Sequence, residues 1–370
     1  MNHKITFGIV GGYGATGRVV VSELWKSCHG EILIGGRDLA KGSALAAEFD
    51  GRVSAAPLDA LDSSSLHDFC SRCSIVVNCG APVMVLQDRV AQAAFRTHCH
   101  YVDAADLLVV KEQILPHSQE IAASGLSFVI SAGWFPGMSE LLPLYADALA
   151  RTKMETIESS TVYFGDSSEW SDNALREAAW LIRRLGQSRR GYFHNGEWVR
   201  AGLFNASREI DLGSRIGRCR FYLFSNPEFS EIGARLNDCT LSAYGCIPGW
   251  QTAVASTLIS MLPVSEAIGA RLLRNAFRKN RLPVGGFIVV KVDGRSQGHR
   301  LALKVQLVYE EGCEYWINGL VPATVARMIS ENKDVETGVH FLANAVDPAA
   351  FIAELRKSGV EQSEELEACN

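Results

Sequence analysis

The stretch Ile5-Thr6-Phe7-Gly8-Ile9-Val10-Gly11-Gly12-Tyr13-Gly14-Ala15-Thr16-Gly17-Arg18 constrains the chain more than any other. An apolar run suited to a buried strand enters a glycine-rich turn. A helical pattern with Val19, Val20, Leu24 and Trp25 on one side leaves it. Gly12, Gly14 and Gly17 fall in the spacing G-x-G-x-x-G between strand and helix. On this reading Gly12 makes the tight turn, Gly14 lets backbone approach a pyrophosphate, and Gly17 lets helix pack close to strand. The unpaired N–H groups of the first helical turn, with the helix dipole behind them, favour the phosphates. Gly12, Tyr13, Gly14, Ala15, Thr16 and Gly17 are therefore expected to hold a dinucleotide.

The next strand, Glu31-Ile-Leu-Ile-Gly-Gly36, ends where such a fold meets the adenosine ribose. The first side chain there is Arg37, whose guanidinium suits a 2′-phosphate through charge-assisted hydrogen bonds. NADP(H) is expected over NAD(H), although Asp38 follows at once. Further strands are expected at Arg52–Leu58, Ser74–Asn78, His100–Asp103 and Leu126–Ser131, alternating with helices. That rhythm reads as a parallel, doubly wound sheet, with ligands beyond the carboxyl ends of the strands. Asp59, the loop Gly80-Ala81-Pro82, Asp103 and Asp106, and the elbow Gly133-Trp134-Phe135-Pro136-Gly137 lie at such ends.

After the elbow the pattern changes. Longer alternating runs appear at Thr156–Phe164, Gly191–Val199 around Asn195-Gly196, Arg218–Phe224, Cys239–Tyr244, Gly286–Asp293 and His299–Tyr309. Gly294 to Gly298 is expected to turn the last two into a hairpin. Helices are expected at Asn173–Leu185, Gln251–Leu262 and Ser265–Asn280. The fold class is thus α/β, with an α+β, mostly antiparallel second domain over 133–317. Residues 1–132 read as the dinucleotide-binding domain, and beyond Ile317 the chain turns helical again, at Pro322–Glu331 and Pro348–Lys357. The charged tail from Glu361 is expected to fray.

The formal net charge of −5 gives no overall electrostatic reason for a nucleic acid or anionic membrane as main partner. No apolar run reaches the length of a membrane span. The sequence passes from Met-Asn-His-Lys straight into the first strand, so a cytoplasmic protein without a leader is expected. Ten scattered cysteines read as reduced thiols. Cys70-Ser-Arg-Cys73 has no second pair at metal spacing, and no metal is expected. The basic runs Arg183-Arg184…Arg189-Arg190 and Arg271 to Arg281 read as solvated faces.

Four segments together resemble the saccharopine dehydrogenase-like superfamily. They are GGYGATG, VVNCGAP followed by HYVDAAD, SAGWFPGMSELL, and EWSDNAL…YFHNGEW. The likeness is close over the first 150 residues and looser beyond. It implies a Rossmann domain of residues 1–132 completed by C-terminal helices of 318–370 packing back, with an inserted α+β domain that carries substrate contacts and a homodimer interface. It also implies NAD(P)-linked chemistry at a carbon–nitrogen bond of a small molecule, an imine or enamine. Where that family's elbow carries aspartate, this sequence has Phe135, so an amine-bearing opine is not expected as substrate. Trp134, Phe135 and Trp170 are candidates for an apolar substrate wall. Asp106 is the first candidate for handling the proton and Tyr163 the second. The substrate is expected where the elbow leaves the first domain for the second. Reduction of a carbon–carbon double bond or ketone is the alternative chemistry, and a non-catalytic dinucleotide sensor the alternative class.

Overall fold

A computed structural model describes residues 5–104, 109–166, 170–185, 191–202, 207–246, 249–277, 284–310 and 314–369. In chain order the first elements are β1 (Thr6–Val10), α1 (Ala15–Ser27), β2 (Glu31–Gly36), α2 (Leu39–Ala46), β3 (Val53–Pro57) and α3 (Ser63–Cys70). There follow β4 (Ile75–Asn78), α4 (Val83–Leu86), α5 (Arg89–Arg96), β5 (His100–Asp103), α6 (Val109–Ile114), α7 (Ser118–Ala123) and β6 (Ser127–Ile130). The middle of the chain forms α8 (Met138–Arg151), β7 (Thr156–Asp166), α9 (Asp172–Leu185), β8 (Gly191–His194), β9 (Glu197–Arg200), β10 (Ser207–Asp211) and β11 (Arg218–Phe224). It continues through α10 (Pro227–Arg235), β12 (Thr240–Cys246), α11 (Trp250–Met261), α12 (Glu266–Phe277), β13 (Gly286–Ser296) and β14 (His299–Tyr309). The last elements are α13 (Glu314–Ser330), β15 (Gly338–Phe341), α14 (Leu342–Ala345), α15 (Pro348–Lys357) and β16 (Gln362–Cys369).

Two compact units result, one of residues 1–138 with 315–358 and one of 139–314 with 359–370. The first holds a seven-stranded sheet in the order β15-β6-β5-β4-β1-β2-β3, every pairing parallel. Its strands are mostly apolar in their middles, as a sheet covered on both faces requires. Ile9, Ile34, Val76, Val77 and Phe128 have essentially no exposed surface. Six of these strands match the expected alternation. The seventh, β15, comes from the returning C-terminal part and extends the sheet beyond β6.

The second unit holds a nine-stranded sheet, ordered β10-β11-β12-β7-β13-β14-β16, with β8 on β12 and β9 on β8. Only β7 and β12 pair parallel; the other pairings are antiparallel. The Asn195-Gly196 turn has φ of 48° and 79°, the left-handed pair that a two-residue hairpin loop needs. Gln297-Gly298 repeats it at 49° and 81°. β13 therefore runs on through Gly294 to Ser296, past the expected start of the turn.

Two expectations are corrected. Residues 362–369 do not fray: they form β16, antiparallel to β14. The acidic residues suit this edge, where Glu365 lies opposite Lys304 and accepts from its ammonium at 3.3 Å. The helix expected from Pro322 begins earlier, at Glu314, and runs through Pro322. Gly319 explains the tolerance: a Cβ there would overlap Val19 of α1, so this stretch is held by close packing on the first helix.

Candidate dinucleotide site

The site begins with the turn after β1. Gly11, not Gly12, takes the left-handed conformation, with φ of 70°. A Cβ on Gly11 would stand 3.0 Å from the Cys79 carbonyl oxygen, so this glycine also allows the turn to touch the loop after β4. The assignment of the tight turn to Gly12 thus moves by one residue. The Gly11 N–H donates to the Gly35 carbonyl at 2.9 Å, and the Gly14 N–H to the Gly11 carbonyl at 2.9 Å. A Cβ on Gly17 would overlap Gly11 and Gly12 backbone, so only glycine brings α1 this close to the strand.

Gly14 differs. It is the N-cap of α1 and offers no side chain to the first-turn N–H groups. An added Cβ would have one neighbour within 4 Å, the Gly11 carbonyl oxygen at 3.1 Å, and otherwise open space. The first-turn amides of Ala15, Thr16 and Gly17 are thus without a side-chain cap beside a bare backbone, an arrangement able to take an anion.

At the end of β2 the Tyr13 ring lies against Gly36, where any Cβ would overlap it. Its hydroxyl accepts from the Asp38 N–H at 3.0 Å. Asp38 is the N-cap of α2: its carboxylate accepts from the Lys41 N–H at 3.1 Å and pairs with the Lys41 ammonium at 3.5 Å. The hydrogen bond from the Lys41 amide, above all, holds its pKa below the usual carboxylate value. Arg37 is exposed and has no hydrogen-bond or ion-pair partner among the described residues. Asp59 is exposed too, and accepts from the Leu61 N–H at 3.0 Å within its own loop.

The ends of β4 and β5 are tied by a buried polar network absent from the sequence reading. Tyr101, fully buried, donates to Asp103 at 2.5 Å. Asn78 donates to the same carboxylate oxygen at 3.0 Å. The Asn78 side-chain oxygen Oδ1 in turn accepts from the Gly80 N–H at 3.0 Å. The network fixes the entry to Gly80-Ala81-Pro82, whose Ala81–Pro82 bond is cis. Asp103 is thus 3 % exposed and held within the protein. The sequence carried no signal for this, because the contact depends on Asn78 and Asp103 standing opposite each other in the β4–β5 register.

The elbow after β6 is built of backbone. The Gly133 N–H donates to the Pro136 carbonyl at 3.2 Å, and the Met138 N–H to the Gly133 carbonyl at 3.0 Å. Gly137 has φ of 121°, and a Cβ there would overlap the Ser131 and Gly133 carbonyls. Trp134 is buried, with its N–H on the Asn318 side-chain oxygen at 3.2 Å, whereas Phe135 is half-buried. The remaining candidates stand elsewhere. Tyr163 is buried in the second unit, stacked on Tyr244 and edge-on to Phe221. Burial raises its phenol above the ordinary range, with the Arg208 guanidinium acting against that. Trp170 packs on Phe277 among the helices of the same unit. Asp106 lies outside the described residues.

The Cys70–Cys73 pair is packed rather than chemically poised. The Cys99 thiol donates to both their carbonyls, at 3.2 and 3.1 Å, and burial pushes the Cys70 thiol up to about 12. Among the described residues no group of three or more His, Cys, Asp or Glu could hold a metal ion. No described helix is long and apolar enough to cross a membrane.

Residues 7–137 match the family model described as the saccharopine dehydrogenase NADP binding domain. The whole chain is similar in fold to apo saccharopine dehydrogenase (L-Glu forming) from Saccharomyces cerevisiae. The TM-score is 0.67 at 16% identity, over 99% of this chain and 100% of that one. A putative myo-inositol dehydrogenase from Sinorhizobium meliloti 1021 gives a TM-score of 0.46 at 10% identity, over 97% and 99%. A dehydrogenase (MviM) from Clostridium difficile gives 0.44 at 9%, over 96% and 97%. No curated protein sequence matches the chain.

Proposed function

We propose that this chain, with a first unit of the saccharopine dehydrogenase NADP-binding type, is an NADP(H)-dependent oxidoreductase acting on a carbon–nitrogen bond of a small imine or enamine. The observation that carries the cofactor choice is the different engagement of two neighbours. Asp38, the residue able to accept from a ribose and repel a 2′-phosphate, is engaged as the cap of α2. Arg37 beside it has no hydrogen-bond or ion-pair partner among the described residues. The cradle at Gly14 fits a pyrophosphate on the same geometric ground: its one close neighbour is backbone, and the helix behind it is uncapped.

In this reading the amides of Ala15, Thr16 and Gly17 hold the pyrophosphate, Arg37 the 2′-phosphate, and Tyr13 the floor beneath the adenosine. The Asn78–Tyr101–Asp103 network holds the Gly80–Pro82 loop still at the nicotinamide end. Bound there, the cofactor supplies hydride transfer. Phe135, half-buried where an aspartate would bind an ammonium, supports a substrate without a charged amine at that point. Asp106 remains the proposed proton carrier.

Calorimetric titration with NADPH and NADH tests the cofactor assignment. NADPH should bind more tightly. A charge-assisted contact is worth roughly 1.5–3 kcal/mol, so Arg37→Asp should shrink the NADPH preference about tenfold or more. Equal losses for both cofactors would remove Arg37 from the site. Turnover is tested by following NADPH absorbance against cyclic imines, enamines, enones and ketones. Activity confined to the last two would move the chemistry off the carbon–nitrogen bond.

A further inference from the structure

Helix α11 has no charged residue and is apolar on two opposite sides. Thr252, Ala255 and Ile259 are buried, and the latter two join a cluster with Leu175 and Ala179 of α9 and Ala270 and Leu273 of α12. On the far side Trp250, Val254, Leu258 and Met261, spaced four, four and three residues apart, form one stripe facing water. Trp250 is 71% exposed and Met261 69%. Leu262 and, on α12, Ile268 are also about half exposed. A helix with apolar side chains on an exposed face as well as on its buried one belongs against a second apolar medium. Exposed apolar patches on a monomer tend to be functional.

The charges around the stripe select its occupant. The flanking helices α9 and α12 carry Arg176, Arg183, Arg184, Arg271 and Arg274 against Asp172, Glu177 and Glu266. Arg274 is paired with Asp172 and Arg183 with Glu266, while Arg176 and Arg271 have no partner among the described residues. Within α9, α11 and α12 five Arg thus stand against three Asp and Glu, a charge of +2 in a chain of −5, so the overall acidity hides a net positive charge on these helices. A second copy docking symmetrically through the stripe would bring one arginine rim against another. An anionic lipid surface meets both features: acyl chains for the stripe and headgroup phosphates for the guanidiniums. At twelve residues, about 18 Å, α11 is too short to cross a bilayer and fits lying in its plane.

We infer that α11 and its arginine flanks attach this protein to the surface of anionic membranes. The test is flotation of the full chain with vesicles of phosphatidylcholine alone and of phosphatidylcholine with phosphatidylglycerol. The protein should float with the anionic vesicles, less with the neutral ones, and less as salt is raised. The double variant Trp250→Ser with Met261→Ser should lose about tenfold or more of the vesicle affinity. Its melting temperature and NADPH binding should be unchanged, which keeps this result separate from the cofactor assignment. Arg176→Gln with Arg271→Gln should narrow the difference between the two vesicle types. Wild-type protein that floats with neither vesicle overturns the inference. So does a wild-type dimer by light scattering that becomes monomeric in the Trp250/Met261 variant without any change in flotation, since a second copy then covers the stripe.

Discussion

Single side chains here are distinguished by whether their polar groups are already engaged. Gly14 shows what an unengaged backbone permits. Gly14→Val places a branched side chain in the open space in front of the α1 amides, and should abolish NADPH binding by calorimetry while the melting temperature moves little. A variant that still binds with unchanged affinity would mean that the cradle does not hold phosphate. His100 shows the opposite case. Its Nδ1 accepts from the Ser127 N–H at 3.1 Å, which requires the unprotonated ring, and burial lowers its pKa below the ordinary histidine value of about 6.5. The unfolded chain then binds the proton first. This contribution is fully present above about pH 6.5 and falls as pH drops from there toward the depressed folded value. Melting curves across that range should show the loss, and His100→Gln should flatten the dependence. An unchanged pH slope in the variant would separate His100 from the effect.

Among elements, the C-terminal helices of the first unit are joined at Glu354. Arg327 and Lys333 donate to it at 2.8 Å each and Lys357 at 2.9 Å. Burial pushes its acidity one way, but these three donors prevail and hold it at about 2. The depressed value means stability that is present above about pH 4.5 and lost as the medium approaches pH 2. Glu354→Gln should cost on the order of 2 kcal/mol at neutral pH, seen as a lower denaturation midpoint, and should remove that acid step. A midpoint unchanged at pH 7 would place the value of the cluster near that of surface pairs. Elements with strong local signals were legible in the sequence. β11 and α15 occupy Arg218–Phe224 and Pro348–Lys357 as expected, one from an alternating apolar run and the other from Asp347 capping a proline-led helix. β16 was not, because its acidic residues signal a strand only once Lys304 and its neighbours on β14 stand opposite. The glycine turn between β1 and α1 was legible for the same local reason. The shift from Gly12 to Gly11 and the Asn78–Tyr101–Asp103 network were not, since both depend on which backbone lies across from them.

For the whole molecule, the decisive feature is that neither unit is one continuous segment. The chain leaves the first after Met138, returns at Tyr315 and leaves again after Ser358. A fragment of residues 1–138 would lack β15 and α13, leaving the β6 edge and the α1 face bearing Val19 uncovered. It should aggregate or fail to give a cooperative melt, whereas joining it to 315–358 should restore one. Cooperative melting of the short fragment would mean that the returning segment is dispensable. The second sheet has the same dependence in a sharper form. β14 pairs with β16, whose residues follow β7 by about two hundred positions. At roughly 5–20 residues per second of synthesis, β7 waits on the order of ten to forty seconds before the strand that completes its sheet has been made. Within that interval β14 is made late and precedes the end of β16 by only about sixty positions, or roughly 3–12 s, during which the nascent sheet ends at an open β14 edge, so this protein should depend on chaperone holding late in translation rather than early.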